Sequence, residues 1–80
     1  MENPPKSKLY WRCRRGMKEL DIVMLRYLDH YYDAAPESER QAFVAMLDLQ
    51  DPELWAWLTG RERPADPAMA DVLAKAATAV

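Results

Sequence analysis

Apolar residues recur along this chain at helical spacing, and no stretch alternates as a half-buried strand would. The clearest stretch runs from Met17 to Asp33. There Leu20, Val23, Met24, Tyr27, Leu28 and Tyr31 fall on one face of a 3.6-residue helix. Breakers divide the remainder: Pro4–Pro5, Gly16, Pro36, Asp51–Pro52, Gly60, Pro64 and Asp66–Pro67. A short basic segment, Lys6 to Arg15, carries Leu9, Tyr10 and Cys13. The third segment opens at Ser38, with Gln41 completing a capping box, and its stripe is Phe43, Val44, Met46 and Leu47. In the fourth, Asp51 reads as N-cap and Pro52 as first helical residue, followed by Leu54, Trp55, Trp57 and Leu58. Gly60 closes that segment at C′. The fifth repeats the Asp–Pro opening at Asp66–Pro67 and continues through Met69, Val72, Leu73, Ala76 and Ala77. The pattern predicts an all-α fold, a compact monomeric bundle of five short helices. Its expected core is Leu20, Val23, Met24, Tyr27, Phe43, Leu47, Leu54, Trp57, Leu58 and Leu73.

Eighty residues, half of them apolar, fit one small domain over residues 1–80, with residues 1–5 expected to be disordered. The longest apolar run, Ala42 to Leu47, is far short of the ~20 residues a membrane helix needs. The opening Met1-Glu2-Asn3-Pro4-Pro5 has no apolar core of a secretory signal. A single cysteine, Cys13, gives neither an internal disulfide nor a structural zinc set. Together these predict a cytoplasmic protein without membrane insertion. Charge is uneven along the chain. Residues 1–26 carry a balance of +4 and residues 27–80 a balance of −6. The acidic second part argues against wrapping nucleic acid but leaves room for a local basic patch facing an acidic partner.

Catalytic chemistry is sparse. His30 sits beside the apolar face of the second segment, where a solvent-facing role is the plain reading. Cys13, with arginines at 12, 14 and 15, admits either a lowered thiol pKa or a buried structural role. The tryptophans and tyrosines default to core building, and pairs such as Glu37/Glu39 and Asp51/Glu53 default to helix N-terminal charges. One constellation is dense: Trp11-Arg12-Cys13-Arg14-Arg15-Gly16-Met17-Lys18-Glu19-Leu20-Asp21. Gly16 is expected to end the first helix, where the turn needs a glycine conformation or a close approach. It would also cap the second helix and put Glu19 at its third position. Glu19, Ile22, Arg26, His30 and Asp33 then form a mixed polar ridge. From spacing alone this is equally a well-capped helical corner with solvated charges.

The run Arg14-Arg15-Gly16-Met17-Lys18-Glu19-Leu20-Asp21 resembles the RGxxE signature of the succinate dehydrogenase FAD assembly factor family. Trp11 and Cys13 precede it as in that family. Tyr31 and Tyr32 fall where the family has an aromatic, and Asp51-Pro52-Glu53-Leu54-Trp55-Ala56-Trp57-Leu58 resembles its DxxLxxWL segment. Pro64-Ala65-Asp66 resembles its next loop, so the likeness spans about Leu9 to Val72. The resemblance implies a five-helix protein with no catalysis of its own. Such a protein binds the flavoprotein subunit of succinate dehydrogenase, and in some bacteria of fumarate reductase, and promotes its covalent FAD attachment. The family's essential Arg-Gly and Glu correspond to Arg15, Gly16 and Glu19. No dinucleotide fingerprint is present, so the cofactor is expected to belong to the client.

On this reading the ridge of Arg14, Arg15, Gly16, Glu19, Ile22 and Arg26 is the partner-binding surface, with charges that set register. The competing reading is an antitoxin-like or regulatory interaction module that uses the basic first helix.

Overall fold

In the computed structural model, which describes residues 4–78 and side chains as far as residue 76, five helices form. They are α1 (Lys6–Arg12), α2 (Lys18–His30), α3 (Glu37–Met46), α4 (Asp51–Leu58) and α5 (Pro67–Thr78). Residues 1–3, within the N-terminus expected to be disordered, and the side chain of Ala77 lie outside the described residues. Among the described residues there is no strand. The bundle measures 31 × 26 × 21 Å.

The apolar stripe of α2 does what its spacing dictates: Leu20, Val23, Met24, Tyr27 and Leu28 are all buried. α5 packs most broadly on α3 and next on α2, while α1 and α4 lie against α2. The rings of Tyr27 and Phe43 stack with centroids 4.7 Å apart, and Tyr32 tilts against Phe43 at 5.7 Å. Leu9, Cys13, Met46, Leu54 and Val72 complete the fully enclosed centre.

Several local expectations are corrected. Trp57 and Leu58, expected in the core, are only half-buried. α4 ends in five consecutive apolar residues, more than this short helix can enclose; Leu54 and Ala56 are buried, while Trp55, Trp57 and Leu58 pack against the core from its edge. α1 stops at Arg12 rather than reaching Arg15. α2 stops at His30 rather than Asp33. The Tyr32 N–H reaches back five residues to the Tyr27 carbonyl, which draws Tyr32 in over Phe43. The capping box of Ser38 and Gln41 does not form; both are exposed. Pro36 opens α3, its carbonyl accepting the N–H groups of Glu39 and Arg40. Gln50, not Asp51, precedes α4, and Asp51 becomes its first residue.

Two readings hold in detail. Gly60 has φ +80 and sits at C′ of α4. Its N–H bonds the Trp57 carbonyl and the Arg61 N–H bonds the Ala56 carbonyl, the paired closure of a Schellman end. Asp66 caps α5, its Oδ1 accepting the Ala68 N–H at 2.9 Å.

One carboxylate lies inside the bundle. Glu39 is only 4% exposed, yet every demand it makes is met. The Tyr27 hydroxyl donates to it from α2, and the Lys75 ammonium donates from α5 at 2.9 and 3.1 Å. Burial pushes the carboxyl pKa up, but those hydrogen bonds and the Lys75 charge outweigh it and hold Glu39 below the usual glutamate range. Three helices are thereby tied at one point.

Candidate functional site

The turn between α1 and α2 is built by three backbone decisions. Cys13 ends α1 in helical conformation, Gly16 takes φ +85, and Met17 caps α2 from the extended region at φ −111. Gly16 is therefore not the N-cap it was expected to be, because a positive φ lies outside the extended conformation a cap residue takes. Glu19 moves accordingly to the second helical position. A Cβ on Gly16 would meet nothing within 4 Å, so the left-handed conformation, and not internal crowding, requires glycine here. Asp21 closes the turn from the other side, its Oδ1 accepting the Arg15 N–H at 2.6 Å.

Arg15 turns inward from this corner. Its guanidinium donates to the Leu47 carbonyl at 2.9 Å, to the Leu49 carbonyl and to the Asp51 carboxylate. Only 12% of the side chain is exposed. Leu47 is the C-cap of α3 and Asp51 the first residue of α4. One cation thus meets the carbonyl end of one helix while its counter-ion complements the N–H end of the next. The planar fork suits three acceptors at once, which an ammonium could not satisfy in the same geometry.

The outward side of the corner is different. The Arg14 guanidinium lies 5.7 Å from the centre of the Trp11 ring. Glu19 is exposed and makes no hydrogen bond or ion pair among the described residues, so its carboxylate caps nothing directly. Ile22 is exposed one turn on, and Arg26 is half-buried a turn beyond. The fold thus sets Glu19, Ile22 and Arg26 on one outer face of α2, with Gly16 and Arg14 at its head and Arg15 directed away from it.

Three contributors escaped the reading of the sequence. Asp51 passed for a cap because Asp–Pro is a standard helix opening. Asp21 closes the dense run and carried no role of its own in the sequence pattern. Trp11 passed for core, although it lies ~200° around α1 from buried Leu9 at ~100° per residue, and that offset was the available signal.

Elsewhere the chemistry is quiet. Cys13 is buried, and burial above all pushes its thiol up to about 12, which removes the alternative of a lowered pKa. His30 is exposed, as read. No group of three or more His, Cys, Asp or Glu able to hold a metal ion occurs among the described residues. No helix of the described chain is long and apolar enough to cross a membrane. A groove of about 460 Å³ between the end of α4 and α5 is walled by Trp57, Leu58, Pro64 and Leu73, with Glu62 and Arg63 among its lining residues.

The sequence that builds this corner matches an established family. The model described as flavinator of succinate dehydrogenase matches residues 7–80. The chain belongs to that family. It is 54% identical over 70 residues to the FAD assembly factor SdhE of Methylococcus capsulatus, covering 88% of this chain and 84% of that protein. It is 44% identical to the SdhE of Pectobacterium atrosepticum and 41% identical to that of Yersinia pseudotuberculosis. Each of these matches covers 82% of this chain and 75% of the relative. In this member of the flavinator family Arg14, Arg15 and Glu19 divide into two roles in space: Arg15 binds the fold together, while Arg14 and Glu19 face solvent.

Gly16 permits a direct test of the corner. Any L-residue at φ +85 pays strain of about 1–2 kcal/mol whatever its size. Gly16→Ala is therefore expected to lose about that much stability and to keep the helical signal in circular dichroism. Gly16→Arg should lose little more stability, because the space around it is open. It should nevertheless abolish flavinylation of the client while Gly16→Ala retains a substantial part. Equal loss of flavinylation in both variants would assign Gly16 to the fold alone.

Proposed function

We propose that this chain is an FAD assembly factor that binds the flavoprotein subunit of succinate dehydrogenase, and in suitable hosts that of fumarate reductase, and promotes its covalent flavinylation. It does so as a cytoplasmic monomer with no catalysis of its own, and the FAD belongs to the client. The observation that carries this reading is the outer face of α2. Glu19 and Ile22 stand exposed beside a corner whose backbone is held by the Arg15–Asp51 and Arg15–Asp21 contacts. With the corner's backbone already fixed, a partner that engages it has only side chains left to order. Membership of the flavinator family supplies the class of partner.

Mechanistically, a small rigid bundle can act only by binding one arrangement of its client better than others. Gly16 and the side chains of Arg14, Glu19, Ile22 and Arg26 would dock on the flavoprotein subunit and favour the arrangement in which its own reacting groups meet. The client supplies the bond-forming chemistry.

Glu19→Gln tests this. Glu19 has no partner to lose within the fold, so stability should fall by less than ~1 kcal/mol, the value of a charge near a helix N-terminus. Affinity for the purified flavoprotein subunit, measured by calorimetry, is expected to fall tenfold or more, since glutamine retains size and loses only charge. Unchanged affinity would remove Glu19 from the interface.

A further inference from the structure

The basic side chains of the first eighteen residues divide into two sets that sequence could not separate. Lys6, Arg12 and Arg15 are ion-paired with Asp33, Asp48 and Asp51. Lys8, Arg14 and Lys18 have no carboxylate partner among the described residues. Trp11 lies next to two of this second set, Lys8 and Arg14, and Lys18 follows across the turn. Lys8 is three residues before it on the same face of α1, the Arg14 guanidinium covers its ring, and Lys18 opens α2 beyond Gly16. Trp11 is 69% exposed, the most exposed of the large apolar side chains described. A tryptophan left in water with an arginine stacked on it serves no packing purpose in this fold. Trp and Arg are also the residue types that dominate binding energy when desolvated at the centre of an interface.

We infer that Trp11, backed by Arg14, is the anchor of the client interface. It inserts into an apolar hollow on the flavoprotein subunit whose rim is acidic. This rests on the function proposed above and extends it, because it puts the energetic centre on α1 rather than on the signature residues of α2. The partner's chemistry follows from charge complementarity: the Arg14 guanidinium lies over the ring, Lys8 shares its helix face, and neither has a carboxylate partner among the described residues, in a chain whose net charge is −2. The patch adjoins the Gly16 corner through Arg14, so one partner surface can cover both.

The test is a titration of purified flavoprotein subunit with wild type, Trp11→Ala, Trp11→Phe, Arg14→Gln and Glu19→Gln, at low and high salt. Trp11→Ala should melt within a degree or two of wild type, since it removes a solvent-exposed ring. It should bind at least ~30-fold more weakly, as expected of a hot spot. Trp11→Phe should recover part of the loss by restoring an aromatic ring. Wild-type affinity should fall with salt, and less steeply in Arg14→Gln. Trp11→Ala affinity within threefold of wild type, with Glu19→Gln still impaired, would overturn the anchor and leave the assembly-factor reading intact. No binding by wild type would overturn both. Salt-sensitive binding of wild type to duplex DNA that is lost in Trp11→Ala, with none to the flavoprotein, would reassign the patch to nucleic acid.

Discussion

Replacing Arg15 by alanine is expected to be among the most damaging single substitutions in this protein, and to act first on folding. The side chain is 12% exposed and donates to two backbone carbonyls and one carboxylate. Its removal strands the carbonyls of Leu47 and Leu49 and deprives Asp51 of its counter-ion. Breaking such a pair from one side typically costs about 3–5 kcal/mol. A domain of this size has only roughly 4–12 kcal/mol to lose. Urea denaturation should therefore show a large drop in midpoint with an unchanged slope. Arg15→Lys is expected to recover only part of it, because a point charge cannot reproduce the fork. Asp51→Asn should be milder, because the Asp51 side chain is 35% exposed and the two carbonyl contacts survive. Loss of client binding in Arg15→Ala would then track the unfolded fraction and be relieved by cooling or a stabilising osmolyte. A fully folded Arg15→Ala that fails to bind would instead make this arginine a direct contact.

The second large effect concerns the buried carboxylate and carries a pH signature. Glu39 is held below the usual glutamate range, so the folded state retains the charged form to lower pH than the unfolded chain does. Its contribution is complete above the pKa of the unfolded glutamate and is lost as pH falls from there through the lower folded value. Stability should thus decline below about pH 4.5, near the ordinary glutamate value, and do so less steeply in Glu39→Gln. Tyr27 acts at the other end. Burial, and then its hydrogen bond to Glu39, push the phenol above its ordinary value. Its contribution is therefore intact below about pH 10 and lost as pH rises beyond. Tyr27→Phe removes a donor to a buried charge, worth about 1.5–3 kcal/mol, and should flatten the alkaline decline. Thermal melts from pH 3 to 11 on the three proteins check both limbs. An acid limb unchanged in Glu39→Gln would show that other carboxylates govern it.

Much of the architecture was legible because its causes are local. Proline at the start of α4 and α5, the left-handed Gly60, the Asp66 cap and the i, i+3, i+4 stripe of α2 each operate within a few residues. Five helices and the α2 face follow from them. Ends were misjudged where a tertiary contact overrode the local rule. Tyr32 leaves helical conformation to reach Phe43, and Asp51 gives up capping to face Arg15. The site divided in the same way. That Gly16 marks a turn and that Glu19 and Ile22 lie on an outer ridge could be read directly, since helical phase alone places them. Whether an arginine faces solvent or the fold could not. Lys6, Arg12 and Arg15 find their partners 27, 36 and 36 residues away, and only tertiary packing brings them together: Lys6 meets Asp33 just beyond α2, while Arg12 and Arg15 meet Asp48 and Asp51 at the α3–α4 corner. The same packing sets Glu39 inside and Trp11 outside, because burial is decided by which elements meet, and the sequence names only which residues could be buried.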